Sequence, residues 1–429
     1  MLDNQTNVIK ARELWDLART PVKTPVLKER LHFYPDGDDA KFLLDGFCSR
    51  FKLNYCGPRI PVISENLSSA RQHKSLLSAK LFEEKCLGRL MGPFPSPPIS
   101  NFRINPVGLV PKNSGGWRLI TNLSHPIGSS VNEFISPEYS KVQYFQFDNA
   151  VNMVHRLGTG AYMAKADIKS AFNLCPVWPG DSELLGIKSD EGYWFQKTLP
   201  QGASCSCFIF EKFSKFIQWS AEQESGSRNI DHLLDDFFIV ESSVNKCLHS
   251  MSSFDHVCRE LGVPLCEEKW VGPTQCLTYL GLDIDSKNQT IRVPSEKIRK
   301  AISRLQPLVK NQKKITLKQL QSVVGLLNFI SKAIPAGRAF LRRLYDAMAY
   351  AKKPHHFIRI SRNMRNDATT WLEFLEKIND TCMFSELDWL HDDTLELFTD
   401  VTLAVGVTSM GHGRFLNGHL TGKSMSLGI

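Results

Sequence analysis

The sequence predicts an α+β fold, and three observations carry that prediction. Strand-like and helix-like segments are mixed up to about residue 292, with runs of strands between the helices rather than a strict alternation. Short apolar runs such as Ala161–Ala166 and Ile230–Leu234 are bounded by turn signals, as strands are. From Ser295 to about Ile378 the pattern becomes mostly helical and strongly basic. The expected order is a sheet-bearing unit, a helical basic unit and a final fragment.

Within residues 1–60 the spacing predicts one amphipathic helix, around Lys41–Phe51, in an N-terminal extension covering 1–61. Residues 66–91 read as helical, and the Pro-rich stretch from Met91 to Ser100 ends that run. Val107–Pro111 and Trp117–Asn122 read as strands joined by the turn Asn113–Gly116. A helix near Asp148–Leu157 precedes the strand Ala161–Ala166, and a hairpin turns around Ser189–Gly192. Then come a helix over about Ser204–Ser220, the strand pair Ile230–Leu234 and Phe237–Val240, and a helix over Val244–Leu261. Strands near Leu277–Asp283 and Thr290–Arg292 close this part; a last strand, Leu395–Thr399, opens the final unit.

Charge is informative by location. The net charge of the 429 residues is +8, but Lys287–Arg365 holds nineteen Lys/Arg against two acids, Glu296 and Asp346. That segment is +17, which leaves the remainder at −9. Such a density points to a track for a phosphate backbone rather than an ordinary solvated face. No apolar run approaches the ~18 residues of a membrane span, and no apolar stretch follows a basic start. A cytoplasmic or nuclear protein without a membrane partner is expected. The eleven cysteines form no C-x-x-C pair and read as small buried hydrophobes, so no structural metal is expected.

Two acidic motifs carry the chemistry. His232–Phe238 sets Asp235 and Asp236 between short apolar strands, the pattern of a tight hairpin with carboxylates at its tip. Alternation along a strand makes Asp235 the more direct of the pair. Asp-Asp at a turn is commonly structural, but Asp167 ends another apolar strand 68 residues earlier. Acids on separate strands, converging on cations ~3.5–4 Å apart, are what two-metal nucleotidyl transfer requires. Oxygen ligands suit Mg²⁺, two ions, with Mn²⁺ as an alternative.

The residues around these acids resemble a reverse transcriptase across roughly 62–285. Asp167–Phe172 is similar to the first palm motif, and Leu199–Ser204 to the motif that contacts template and nucleotide. Leu233–Asp236 resembles the catalytic hairpin, Leu261–Lys269 the next motif, and Tyr279–Leu282 the primer-gripping hairpin. The resemblance implies Asp167, Asp235 and Asp236 as catalytic metal ligands, with Ile168 joining the metal shell. It implies Lys112, Arg118, Phe172, Gln201, Gly202 and Lys269 at the nucleotide, and Leu280 and Gly281 in the primer grip. Lys112 and Arg118 can neutralise triphosphate charge. Phe172 resembles a gate against a ribose 2′-hydroxyl, which argues against a viral RNA replicase. Lys269 can protonate departing pyrophosphate.

Longer strings, among them GPRIPVISENLSSA and KADIKSAFNLCPVWPGDSELLGIK, resemble DIRS-type retrotransposons, which use a tyrosine recombinase. This implies a right-hand polymerase with fingers and ferredoxin-like palm over 62–285, thumb over 286–350 and connection over 351–393. An RNase H-like fragment over 394–429 follows, with Asp400 as its remnant ligand. Implied partners are an RNA template, a DNA primer or RNA/DNA duplex, and dNTPs. Two departures stand out. Leu233 sits where the hairpin usually carries an aromatic, and residues 401–429 contain no Asp or Glu. The first is compatible with a catalytically silent nucleic-acid-binding remnant; the second predicts a truncated domain without RNase H activity.

Overall fold

The computed structural model describes residues 19–112, 115–310, 312–377, 381–384, 398–401 and 405–408. The chain divides into two units, Met1–Met383 and Phe384–Ile429.

Two helices, α1 (Thr24–Leu31) and α2 (Gly37–Ser49), begin the first unit. Asp36 caps α2 by accepting the Asp39 N–H at 2.9 Å, the task a short carboxylate performs at a helix start. An N-terminal extension was the sequence expectation, but these helices are part of the main core. Leu27, Leu43, Phe47, Phe51 and Leu53 are buried in one cluster with Phe213, Phe237 and Phe254. The periodicity showed an amphipathic helix and could not show which distant surface its apolar face would cover.

The single helix expected over 66–91 is broken at His73 into α3 (Ser68–Gln72) and α4 (Lys74–Cys86). The Pro-rich stretch that follows begins inside a strand, β2 (Leu90–Phe94). With β1 (Val62–Ile63), β3 (Arg103–Ile104), β7 (Gly186–Ser189) and β8 (Gly192–Gln196) it forms a sheet ordered β1-β3-β7-β8-β2. Alongside runs a two-stranded ribbon, β4 (Val107–Pro111) against β5 (Trp117–Thr121), in the register Val110↔Arg118. Leu77, Leu81, Leu90, Leu109 and Trp194 bury the joint between these parts.

Helix α5 (Phe147–Leu157) leads into the central sheet. Its elements follow in the order β6 (Tyr162–Asp167), α6 (Ser206–Ser225), β9 (Ile230–Leu233), β10 (Asp236–Glu241), α7 (Val244–Leu261) and β11 (Val271–Thr274), a βαββαβ sequence. The sheet order is β11-β6-β10-β9, with antiparallel pairing. Phe237 and Ile239 of β10 join the main core, while Phe238 stacks on Tyr279 at 4.5 Å. Both faces of this strand are covered, which explains its unbroken apolar run. Ser243 caps α7, and Gly262 ends it at φ 75. A Cβ at Gly262 would stand 2.3 Å from the Pro21 carbonyl, so the N-terminal segment crosses this helix end at a position that suits glycine twice over.

A second small sheet, β12-β13-β14-β17, contains β12 (Cys276–Tyr279), β13 (Leu282–Asp285), β14 (Thr290–Arg292) and β17 (Thr381–Met383). Between β14 and β17 lie helices α8 (Ser295–Lys310), α9 (Leu317–Ile330), α10 (Arg342–Ala349) and α11 (Arg362–Lys377). A capping box of Thr316 and Gln319 starts α9. The helical expectation for this stretch misses a ribbon, β15 (Lys314–Thr316) against β16 (Phe357–Arg359). Its strands are three residues each and about forty apart, too short to leave a period-2 signal.

In the second unit β18 (Phe398–Val401) pairs with β19 (Val405–Thr408), and the Asp400 backbone lies opposite Gly406. The start of the expected strand, Leu395–Leu397, and the side chain of Asp400 lie outside the described residues.

Candidate active site

The hairpin that carries the paired acids closes in two residues. Leu233 pairs with Asp236, leaving Leu234 and Asp235 as the turn. Leu234 adopts φ 55, a conformation an L-residue takes at a cost of roughly 1–2 kcal/mol. Such a primed turn matches the twist of the flanking strands, and strain of this kind collects at functional sites. Because β10 also pairs with β6, Asp236 lies opposite Asp167. The Ile168 N–H donates to the Asp235 carbonyl at 2.9 Å, which locks the turn against the end of β6. Three carboxylates from two strands are thus held at one end of the sheet.

Their electrostatics are those of an anion cluster short of positive charge. Burial raises the Asp235 pKa, and the nearby charge of Asp167 raises it further. Asp236 is pushed up to about 6, chiefly by burial and against the pull of Lys165. Among the described residues one side chain forms an ion pair with these acids: Lys269, whose Nζ donates to Asp167 Oδ2 at 2.6 Å. Burial lowers the Lys269 pKa, but its bond to Asp167 outweighs this and leaves it raised. Hard oxygen donors with uncompensated negative charge fit divalent cations such as Mg²⁺. The Ile168 side chain is buried, so it could contribute only through its backbone.

One cleft of about 580 Å³ is lined by Asp167, Ile168, Asp235, Lys112, Arg118, Phe172, Gln201 and Lys269 together. Arg118 stands on β5, and Lys112 begins the turn after β4, its N–H donating to the Gly116 carbonyl at 3.0 Å. Ser170, at φ 58, turns the chain off β6 so that Phe172 reaches the wall. The Phe172 ring also packs edge-on against Phe210 at 5.6 Å, so it is both a core aromatic and a cleft residue. Gln201 lines the cleft, and Gly202 holds its loop in place: a Cβ there would stand 2.2 Å from the Thr121 carbonyl.

Other expected residues lie elsewhere. Asp236, Gly202, Leu280 and Gly281 do not line this cleft. Leu280 (φ 44) and Gly281 (φ 84) form the turn between β12 and β13. That hairpin is tied to the central sheet by the Tyr279 hydroxyl, which donates to the Asp236 carbonyl at 3.1 Å, and by Lys165, which donates to the Thr278 carbonyl at 2.8 Å.

Sequence reasoning missed Asn132. Its amide donates to the Gly202 carbonyl at 2.9 Å and accepts the Ser204 N–H at 2.9 Å, clamping the Gln201 loop from both sides. Lys80, Glu83 and Arg89 also line the cleft unannounced. A side chain whose partner is seventy residues away leaves no local pattern; the one cue was the polar Asn132 beside a buried Val131.

Residues 110–284 match the family model described as reverse transcriptase (RNA-dependent DNA polymerase). The chain is 23% identical over 248 residues to the Pro-Pol polyprotein of feline foamy virus, covering 58% of this chain and 19% of that protein. It is 22% identical over 230 residues to the transposon Tf2-3 polyprotein of Schizosaccharomyces pombe, covering 54% and 16%. It therefore spans about a fifth or less of the length of these relatives. The fold is similar to the foamy viral protease-reverse transcriptase dRH in complex with ds DNA, with a TM-score of 0.59 at 16% identity, covering 91% of this chain and 66% of that one. A second foamy viral structure, in complex with RNA/DNA hybrid, gives 0.57 at 16% identity, covering 82% and 46%. The mixed α+β fold is that of these foamy viral structures, and residues 110–284 are similar to the reverse transcriptase family and to the Pol proteins of retrotransposons and foamy virus.

Proposed function

We propose that this chain is an RNA-directed DNA polymerase that extends a primer 3′-hydroxyl with deoxynucleoside triphosphates. The observation that carries the reading is the single cleft in which Asp167 and Asp235 face Lys112, Arg118, Gln201 and Phe172. In this reading the βαββαβ sheet is the palm and the sheets around β2–β5 are the fingers. The +17 segment is the thumb and connection, along which an RNA/DNA duplex would lie.

Asp167 and Asp235 would hold Mg²⁺, with Asp236 and the Ile168 carbonyl completing the shell. When bound, the ions supply Lewis acidity that favours the 3′-alkoxide and neutralises pyrophosphate. Lys112 and Arg118 bind the triphosphate, Arg118 through its planar fork. The primer 3′-oxygen bonds to the α-phosphorus after losing its proton to solvent. The bond from that phosphorus to the bridging oxygen breaks, and pyrophosphate leaves with the electron pair. Lys269 stands on the same wall, where its ammonium can protonate a departing oxygen. Phe172 would press on a ribose 2′-hydroxyl and so select deoxynucleotides.

The strings that resemble DIRS-type elements support that lineage within the proposal. Residues 394–429 by themselves, with Glu396 and Asp400 as their acids, hold too few carboxylates for RNase H cleavage in this reading. No helix among the described residues is long and apolar enough to cross a membrane. Leu233, in place of the usual aromatic, favours a second reading in which the chain binds nucleic acid without copying it. Extension of a DNA primer on an RNA template by the purified chain separates the two. Binding without extension would sink the polymerase reading.

A further inference from the structure

Behind the nucleotide cleft lies a second pocket of about 470 Å³. The two share Leu87, Arg89, Lys169, Ser170, Asn173 and Thr198, so they are chambers divided by residues 169–173 and not separate sites. Arg19, Arg89 and Lys169 line the rear chamber together with the polar Thr20 and Asn173, and among the described residues no Asp or Glu lines it. The front cleft is different in kind: Glu83, Glu84, Asp167 and Asp235 stand among its cations. An anion moving from front to rear therefore leaves four carboxylates behind and keeps cations around it.

The rear wall is anchored. The Thr20 hydroxyl donates to the Leu174 carbonyl at 2.6 Å, which fixes the N-terminal segment beside the 3-10 turn that carries Phe172. Thr198 donates to Asn173 Oδ1 at 2.9 Å. Lys197, buried in the adjacent strand end, has its pKa lowered by burial and then by the charge of Arg19, so a further cation lies close to Arg19. Arg89 is held by Glu84 at 3.3 Å from the cleft side. Arg19, Arg89 and Lys169 converge on one cavity, and an anion entering it meets cations from three separate parts of the chain.

We propose that this rear chamber is a binding and exit site for inorganic pyrophosphate, the product released in front of it. The inference rests on the polymerase reading for the source of the anion, but not for its binding. Pyrophosphate formed between Arg118 and the acidic cluster would pass residues 169–173 and be held by Arg19, Arg89 and Lys169 before reaching solvent. The N-terminal segment thereby contributes a cation to a reaction centre carried by residues far along the chain.

Titration calorimetry of the full chain with sodium pyrophosphate, free of divalent ions, tests the site without catalysis. Arg19 lines the rear chamber alone, and Arg118 the front cleft alone. Arg19→Glu should weaken binding at least about tenfold and Arg19→Gln about threefold, while Arg118→Ala changes it less than threefold. Wild-type affinity in Arg19→Glu, or no binding by the wild type, would overturn the site. In primer extension, Arg19→Glu should raise the pyrophosphate inhibition constant about tenfold and leave the KM for dNTP unchanged. An unchanged inhibition constant in an active enzyme overturns the exit role. Absence of extension by the wild type, with calorimetry as expected, counts against the polymerase reading and not against the anion site.

Discussion

Asp235 and Asp236 are neighbours in sequence with different surroundings. Asp235 lines the cleft beside Asp167, whereas Asp236 is half-buried at its edge, its backbone carbonyl accepting from the Tyr279 hydroxyl. Asp235→Asn should reduce primer extension by at least about 10³-fold, and template–primer binding should survive, as a filter-binding assay can show. Asp236 gives a different signal in the absence of divalent ions. Its folded pKa of about 6 lies above the usual carboxylate value, so the stability contributed by its protonated form is complete below pH 4 and lost as pH rises through 6. Asp236→Asn should therefore stabilise the chain by about 2–3 kcal/mol at pH 7.5 and by only about 0.5 kcal/mol at pH 4. Denaturant midpoints at the two pH values measure this; an equal gain at both would show that the charge is not the cause. For Phe172→Ala, ribonucleotide incorporation should rise relative to deoxynucleotide. Equal use of both sugars by the wild type would remove the gate assignment.

At the scale of elements, a close backbone contact joins the cleft to its support. Gly202→Ala would drive a methyl into the Thr121 carbonyl, so the Gln201 loop must lift from β5. We expect a loss of about 1–3 kcal/mol and a higher KM for dNTP, measured by steady-state kinetics. Much of this level was legible in the sequence. The helix expected at roughly Val244–Leu261 is found there, and its ends are marked chemically by the Ser243 cap and by Gly262. The hairpin was read because two apolar strands converge on two acids, but one residue out: Leu234, expected in the strand, is in the turn, and Asp236, expected at the tip, begins β10. The clamp by Asn132 and the β15–β16 ribbon were not, since both are defined by partners distant in sequence. At Leu280–Gly281 the pattern suggested one strand over Leu277–Asp283, where the structure turns between β12 and β13; the family resemblance placed a hairpin there, but not the Tyr279 hydroxyl bond that fastens it to Asp236.

For the whole molecule, the uneven charge is the controlling quantity. Nineteen cations between Lys287 and Arg365 should make template–primer affinity fall about 10³-fold between about 50 and 200 mM salt. A nearly flat salt dependence, read by fluorescence anisotropy, would detach the basic segment from nucleic-acid binding. Sequence reading found this segment by counting, because charge density needs no knowledge of fold. It misjudged residues 19–60 for the opposite reason: an apolar helix face announces that it will be covered, never by what.

The covering of α1 and α2 has a consequence for how the chain is made. The Lys23 N–H donates to the Leu261 carbonyl at 2.8 Å, closing a loop of more than two hundred residues. During synthesis the first helices must emerge and wait, with Leu27, Phe47 and Phe51 unburied, until the strands and helices they complete have left the ribosome. The matched segment 110–284, cut out by itself, would carry the mirror image of that exposure on α6 and α7, and should aggregate where the longer chain folds. The boundary of the chemistry and the boundary of the foldable unit are different places in this sequence.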